Sequence, residues 1–321
     1  MNADAVKMAA DQENVRKKER DPILTVGFVV LMLAFATVIG IYVNDEYLKG
    51  SENNPARLGD TVSVDYAGSF YGYYGDGGTV FDTSMWGVAD DKSISKSFEF
   101  TLRAESAYAP MSTDGSNVLP QFRNAFLGLR VGESATVIIS PENGYGALTI
   151  DNTKRVNAAG ITMNLTETMT VGDFKTIYGV SDIKDDANDL RSPWGWFVDV
   201  KFNTADSVTV LHKVTTATIG VVNEDVTTKV TAVTGTTFTF GYEFNDLKAA
   251  PDQTVSDSLA SELGISNPKS VELVKIFYDG QMYYVAAVDD VSAPTQLVLK
   301  PATGDRAETV GMFLYFNVTR V

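Results

Sequence analysis

The chain has 321 residues, room for two or three domains, and a formal charge of −15 from 41 acidic and 26 basic side chains. That balance argues against nucleic acid as a partner, since phosphate binding needs a basic face, and suits a protein kept dispersed by its own charge. With no cysteine there is neither disulfide nor thiolate chemistry, and with the single histidine His212 no multi-histidine metal site.

Residues 1–21 form a polar tail whose five basic and five acidic side chains balance, so the whole −15 lies beyond it. Residues 23–43 carry no charge and show no polar stripe. A helix of that length rises about 31 Å, enough to cross a hydrocarbon core of about 30 Å. We read 22–43 as a transmembrane anchor. Arg16, Lys17, Lys18 and Arg20 crowd its amino side, while Asn44-Asp45-Glu46 opens the other. The positive-inside rule then puts the tail in the cytoplasm and everything after it outside the cell membrane. A cleaved signal peptide ending near Ala34-Phe35-Ala36 is the rival, but the apolar run continues past that point. Residues 44–57 read as a polar tether.

From residue 58 to 148 the pattern is of short strands and turns. Thr61 to Tyr66 reads as a strand, followed by the cluster Thr79-Val80-Phe81-Asp82-Thr83-Ser84 and then Phe98-Glu99-Phe100. Residues 72–78 form a Gly/Tyr-rich turn and residues 104–117 a polar loop. Val118-Leu119-Pro120-Gln121-Phe122 leads into a short helical run. Ser134 to Ile139 is a strand with Ala135, Val137 and Ile139 on one face, entered through Gly128 and Gly132 and left through Pro141, Gly144 and Gly146.

In this order the set resembles the FKBP family of peptidyl-prolyl isomerases. The pieces are Leu58-Gly59-Asp60-Thr61-Val62-Ser63-Val64-Asp65-Tyr66, Val80 to Ser84, Phe98 to Phe100, Val118 to Leu129, and Val131-Gly132-Glu133 through Ser140-Pro141-Glu142-Asn143-Gly144-Tyr145-Gly146. Phe313-Leu314-Tyr315-Phe316-Asn317-Val318 is similar to the family's last strand. The resemblance covers 58–148 and 309–321. It implies an α+β fold, an antiparallel half-barrel sheet wrapped on a short helix, that turns over proline-containing unfolded or nascent polypeptides without a cofactor. By the same resemblance Tyr66, Phe81, Phe98, Phe122 and Phe316 form an aromatic box, with Val118 and Leu119 along one wall. Tyr145 offers its hydroxyl to a substrate carbonyl, Asp82 is a carboxylate at the rim beside Tyr66, and Phe100 lies nearer the core. Phe122 stands where many strongly active members carry Trp.

Residues 149–308 break the pattern and are expected to be a mostly-β insert between the last two strands of the isomerase, larger than the chaperone domain that the SlyD-type branch carries in this flap. Val198, Val200 and Phe202 alternate with polar residues, as do Phe238, Phe240, Tyr242 and Phe244. Asp279-Gly280 between apolar runs signals a hairpin, and Ser256 to Leu263 a short capped helix. His212 shares a strand face with Val208 and Val210 and reads as structural; Trp194 and Trp196 read as a packed corner or a clamp for unfolded peptide. Residues 182–189 read as a solvated acidic loop. Asn164-Leu165-Thr166 and Asn317-Val318-Thr319 match glycosylation acceptors, the second too deep in a strand to serve.

Three functions fit these patterns. The first is a membrane-tethered isomerase acting on proteins outside the cytoplasm. The second is a chaperone that binds without catalysing, and the third a structural surface-binding module built on the same fold.

Overall fold

The computed structural model describes residues 54–103, 109–113, 118–181, 185–250, 255–304 and 306–321. The anchor read over 22–43 lies outside them; among the described residues no helix is long and apolar enough to cross a membrane. Residues 57–127 and 132–321 make one packed unit. In the other, Gly128 N–H donates to Ala56 O at 2.8 Å and Ala56 N–H to Leu129 O at 2.9 Å.

The packed unit opens with β1 (Thr61–Phe70), β2 (Thr79–Thr83), the short helix α1 (Trp86–Asp90) and β3 (Lys96–Leu102). Then come β4 (Ala109–Ser112), α2 (Pro120–Phe126) and β5 (Ser134–Ile139). The stretch read as a polar loop thus contains a strand, β4, held by pairing with the start of β1. In β1 the period of two buries Val62, Val64 and Tyr66. Pro120 starts α2, where its missing N–H costs nothing, and the helix lays Phe122 and Phe126 against β5 and β18 (Leu314–Arg320). The six-stranded sheet runs β3-β2-β1-β18-β5, with β4 paired to β1. The last strand therefore sits between β1 and β5, despite 174 intervening residues between Ile139 and Leu314. Asn317, mid-strand in β18, is half-buried and pairs with Ala67 on one side and Thr136 on the other.

Between β5 and β18 the chain builds three more four-stranded sheets. Three short strands come first: β6 (Lys154–Asn157), β7 (Ile161–Asn164) and β8 (Thr166–Thr170), then helix α3 (Val171–Tyr178). Next are β9 (Ala187–Arg191), β10 (Phe197–Thr204), β11 (Ser207–His212), β12 (Ile219–Val221), β13 (Val226–Val233) and β14 (Thr237–Phe244). Helix α4 (Asp257–Leu263), capped by Ser256, precedes β15 (Lys269–Tyr278), β16 (Gln281–Val288) and β17 (Gln296–Pro301). The sheets are β8-β11-β10-β9, β12-β13-β14-β7 and β15-β16-β17-β6.

Each of β6, β7 and β8 edges a different sheet, and single residues join the seams. Ala158 N–H donates to Thr295 O while its carbonyl accepts from Tyr242 N; Leu165 does the same with Thr236 O and His212 N. These bonds satisfy backbone groups that the corners would otherwise leave buried and unpaired. One core joins all three sheets, including Trp194, Trp196, Phe238, Phe240, Ile276 and Leu299. The acidic stretch 182–189 is not all loop: its end enters β9, and Asp189 pairs with Lys213 at 2.7 Å.

Candidate active site

The site grows from Gly68 on β1, which lies opposite Phe316 of β18 on one side and Asp82 of β2 on the other. Without a side chain at Gly68, the Phe316 and Phe81 rings close over the strand; a methyl there would meet Phe316 Cε1 at 2.5 Å. Phe122, on the first turn of α2, comes to 4.7 Å from Phe316 and 5.5 Å from Tyr66, the latter edge to face. These three rings floor a cavity of about 220 Å³. Its walls and rim are Val118, Leu119, Asp82, Tyr145, Arg103 and Arg306.

Leu119 is the N-cap of α2, with φ −54° and ψ 130°, so the chain turns into the helix beside the cavity. Tyr145 follows the single turn Pro141–Asn143, in a bend fixed by Gly146 N–H donating to Pro141 O at 2.9 Å. Asp82 is buried and accepts from the Tyr66 hydroxyl at 3.0 Å and from Arg103 Nε at 2.7 Å. Burial raises its carboxyl above the usual aspartate value, against the bonds and charge from Arg103 and the Tyr66 bond, which hold it down. Burial and the Asp82 charge push the Tyr66 hydroxyl far up, so Tyr66 is a donor at any working pH. The arrangement offers an apolar floor, one compensated carboxylate and hydroxyl donors at the edge, with no nucleophile.

Residues 52–166 match the family of FKBP-type peptidyl-prolyl cis-trans isomerases. The chain carries an FKBP-type isomerase domain. Its enzyme class is that of a peptidyl-prolyl cis-trans isomerase. The chain is 29% identical over 131 residues to FK506-binding protein 2 of Yarrowia lipolytica, covering 37% of this chain and 75% of that one. It is 34% identical over 95 residues to the short-type peptidyl-prolyl cis-trans isomerase of Methanocaldococcus jannaschii, covering 29% of this chain and about half, 52%, of that one. The family match stops at residue 166, and Phe316 is placed in the pocket by its pairing with Gly68 and its packing against Phe122.

Seven residues expected from the resemblance line this cavity: Tyr66, Asp82, Val118, Leu119, Phe122, Tyr145 and Phe316. Phe81 lies behind the floor, stacked on Phe70 at 4.6 Å and edge-on to Phe316 at 5.7 Å, and lines a separate space of about 40 Å³. The expectation for Phe98 is corrected. It is 50% exposed and turned to the insert, 5.9 Å from Tyr284 with the Lys275 ammonium 4.7 Å over its ring. The sheet of β15, β16 and β17 supplies the partners that draw it away. Arg103 and Arg306 were not foreseen: Arg103 follows β3 with no motif around it, and Arg306 lies 240 residues from Tyr66.

Elsewhere, His212 is buried and accepts the Trp196 indole N–H at Nδ1, 2.9 Å away. Trp194 and Trp196 stack at 5.6 Å with planes 6° apart inside the core, a packed corner. Among the described residues no cluster of three or more His, Asp or Glu could hold a metal ion.

Proposed function

We propose that this protein is a membrane-tethered foldase that speeds X-Pro isomerisation in unfolded or nascent proteins outside the cytoplasm. The observation that carries the catalytic part is the open, ring-floored cavity with Asp82 and Tyr145 at its rim. Rotation about a prolyl amide meets a barrier of about 18–20 kcal/mol from lost resonance. Water stabilises the planar ground state, whose carbonyl oxygen carries partial charge. In the apolar hollow that water is withdrawn, and the twisted amide, with less charge on oxygen, loses less.

The prolyl ring sits on Tyr66, Phe122 and Phe316, leaving the acyl side at the polar rim. The Tyr145 hydroxyl donates to a substrate carbonyl and the Leu119 amide keeps the peptide in register. Asp82, fixed by Tyr66 and Arg103, acts through its field and transfers no proton. In a proline-limited refolding assay on the full chain, Tyr145→Phe removes one hydrogen bond and lowers kcat/KM about tenfold. Equal refolding rates with wild type, Tyr145→Phe, Asp82→Ala and no protein would remove the catalytic reading.

The tether rests on the uncharged run at 22–43 and the positive cluster before it. Full resistance of the C-terminal region to protease added outside intact cells, with cleavage after lysis, would contradict it. The insert supports a second role, holding client chain near the pocket and raising its local concentration. It contains a cavity of about 380 Å³ walled by Ile161, Met163, Ile177, Trp194, Phe240 and Phe277. A chaperone that binds without catalysing would suppress aggregation through this cavity and be indifferent to Tyr145.

A further inference from the structure

The prolyl cavity is rimmed by two guanidinium groups and one carboxylate, on a chain whose total charge is −15. Arg103 is engaged, its Nε on Asp82 at 2.7 Å. Arg306 comes from the far end of the insert, at a positive φ of 59° just ahead of β18. Its guanidinium lies 4.6 Å above the Tyr145 ring. Among the described residues no carboxylate is within ion-pair distance of it. Among the described residues, two further acids near it are occupied: Glu308 accepts from the Phe98 and Glu99 amides, and Glu99 from the Tyr284 hydroxyl. Burial and the neighbouring Arg103 charge weaken Arg306's hold on its proton, and the Asp82 charge, already bonded to Arg103, makes up only part of that loss.

We propose that Arg306 makes this isomerase select prolines preceded by an acidic residue. The proposal rests on the isomerase reading of the cavity. With the prolyl ring on the aromatic floor, the residue before it lies along the rim, where Tyr145 and Arg306 stand. A carboxylate there meets Arg306 in a partly water-excluded site, while Asp82 is screened from it by Arg103. The face of Tyr145 holds the guanidinium in place, so little side-chain freedom is lost when the carboxylate arrives.

The test uses the full chain in non-ionic detergent and short peptides with Glu, Gln or Lys before proline, with cis–trans exchange rates read by NMR. Wild type turns over the Glu peptide with kcat/KM about tenfold above the Lys peptide at low salt, and the gap narrows at about 0.5 M salt. Arg306→Gln brings the two within about twofold, and Arg306→Lys keeps part of the preference. Equal kcat/KM for Glu and Lys peptides in wild type, or a gap that Arg306→Gln and salt leave intact, overturns the proposal. Turnover of the Gln peptide separates the two claims. If it proceeds without a Glu/Lys gap, only the selectivity fails. If no peptide is turned over, the isomerase reading fails and the selectivity with it.

Discussion

At the scale of residues, Gly68 sets how closely the pocket floor can close. A Cβ at that position would stand 2.5 Å from Phe316 Cε1 and 2.8 Å from Phe81 Cζ, and both rings are already packed, Phe81 against Phe70 and Phe316 against Phe122. Gly68→Ala is expected to drive the rings off their rotamers, at about 1–3 kcal/mol of stability, and to lower kcat/KM more than tenfold. Urea unfolding and peptide exchange measure the two effects; an unchanged kcat/KM would mean the floor has slack that the ring distances deny. Tyr66, Asp82, Val118, Leu119, Phe122, Tyr145 and Phe316 were legible because short motifs carry them and the nearby strands and turn fix their direction. Phe98 was not, because an edge-strand side chain is aimed by whatever covers the edge, here Tyr284 and Lys275 from the far part of the insert. Arg306 had no signal, since nothing in its neighbours says that residue 306 returns to Tyr145.

At the scale of elements, local chemistry chose most strands and both capped helices. Asp279 and Gly280 both have positive φ, 50° and 79°, the two-residue turn that matches the twist of β15 and β16. Ser256 caps α4 through Leu259 N–H, and Gly264 ends it in the left-handed region. The corner carrying Trp194 depends on two glycines instead. A Cβ on Gly220 would meet Trp194 O at 2.3 Å, and one on Gly195 would meet the Val221 backbone at 2.4 Å. Gly220→Ala is therefore expected to cost about 1–3 kcal/mol, because one of the contacting atoms is main chain and cannot swing aside. Denaturant midpoints followed by tryptophan fluorescence report it; an unshifted midpoint would show that β12 can slide. Partners across these sheets were not legible. The alternation in β6, β7 and β8 is the same for any neighbour, and only the seams at Ala158 and Leu165 assign each strand to its sheet.

At the scale of the whole molecule, the insert is fastened to the isomerase body through buried polar groups. Lys300 Nζ donates to Glu308 O at 2.8 Å and Val310 O at 2.6 Å, beneath Tyr284; the Glu308 carboxylate takes the Phe98 and Glu99 amides, and Leu273 N–H donates to the Tyr71 hydroxyl. Burial pulls the Lys300 amine from 10.5 down to about 7. Between those values the unfolded chain binds the extra proton, so stability rises with pH there, by at most about 1.4 kcal/mol per pH unit. Glu308 acts the other way at lower pH: burial raises its carboxyl, and its contribution is lost as pH climbs through that raised value. Urea unfolding is expected to show wild type gaining stability from about pH 7 to about pH 9.5 and Lys300→Met losing that slope. A flat wild-type profile, or an equal slope in the variant, would remove Lys300 as the cause.

The sequence by itself determined the strands, the turns and the aromatic set of an FKBP-type domain, because period, glycine placement and short motifs act over a few residues. Only the tertiary structure decided that Phe98 leaves the pocket and that Arg103 and Arg306 join it. Those outcomes depend on which distant surfaces share a core, and no local pattern encodes that.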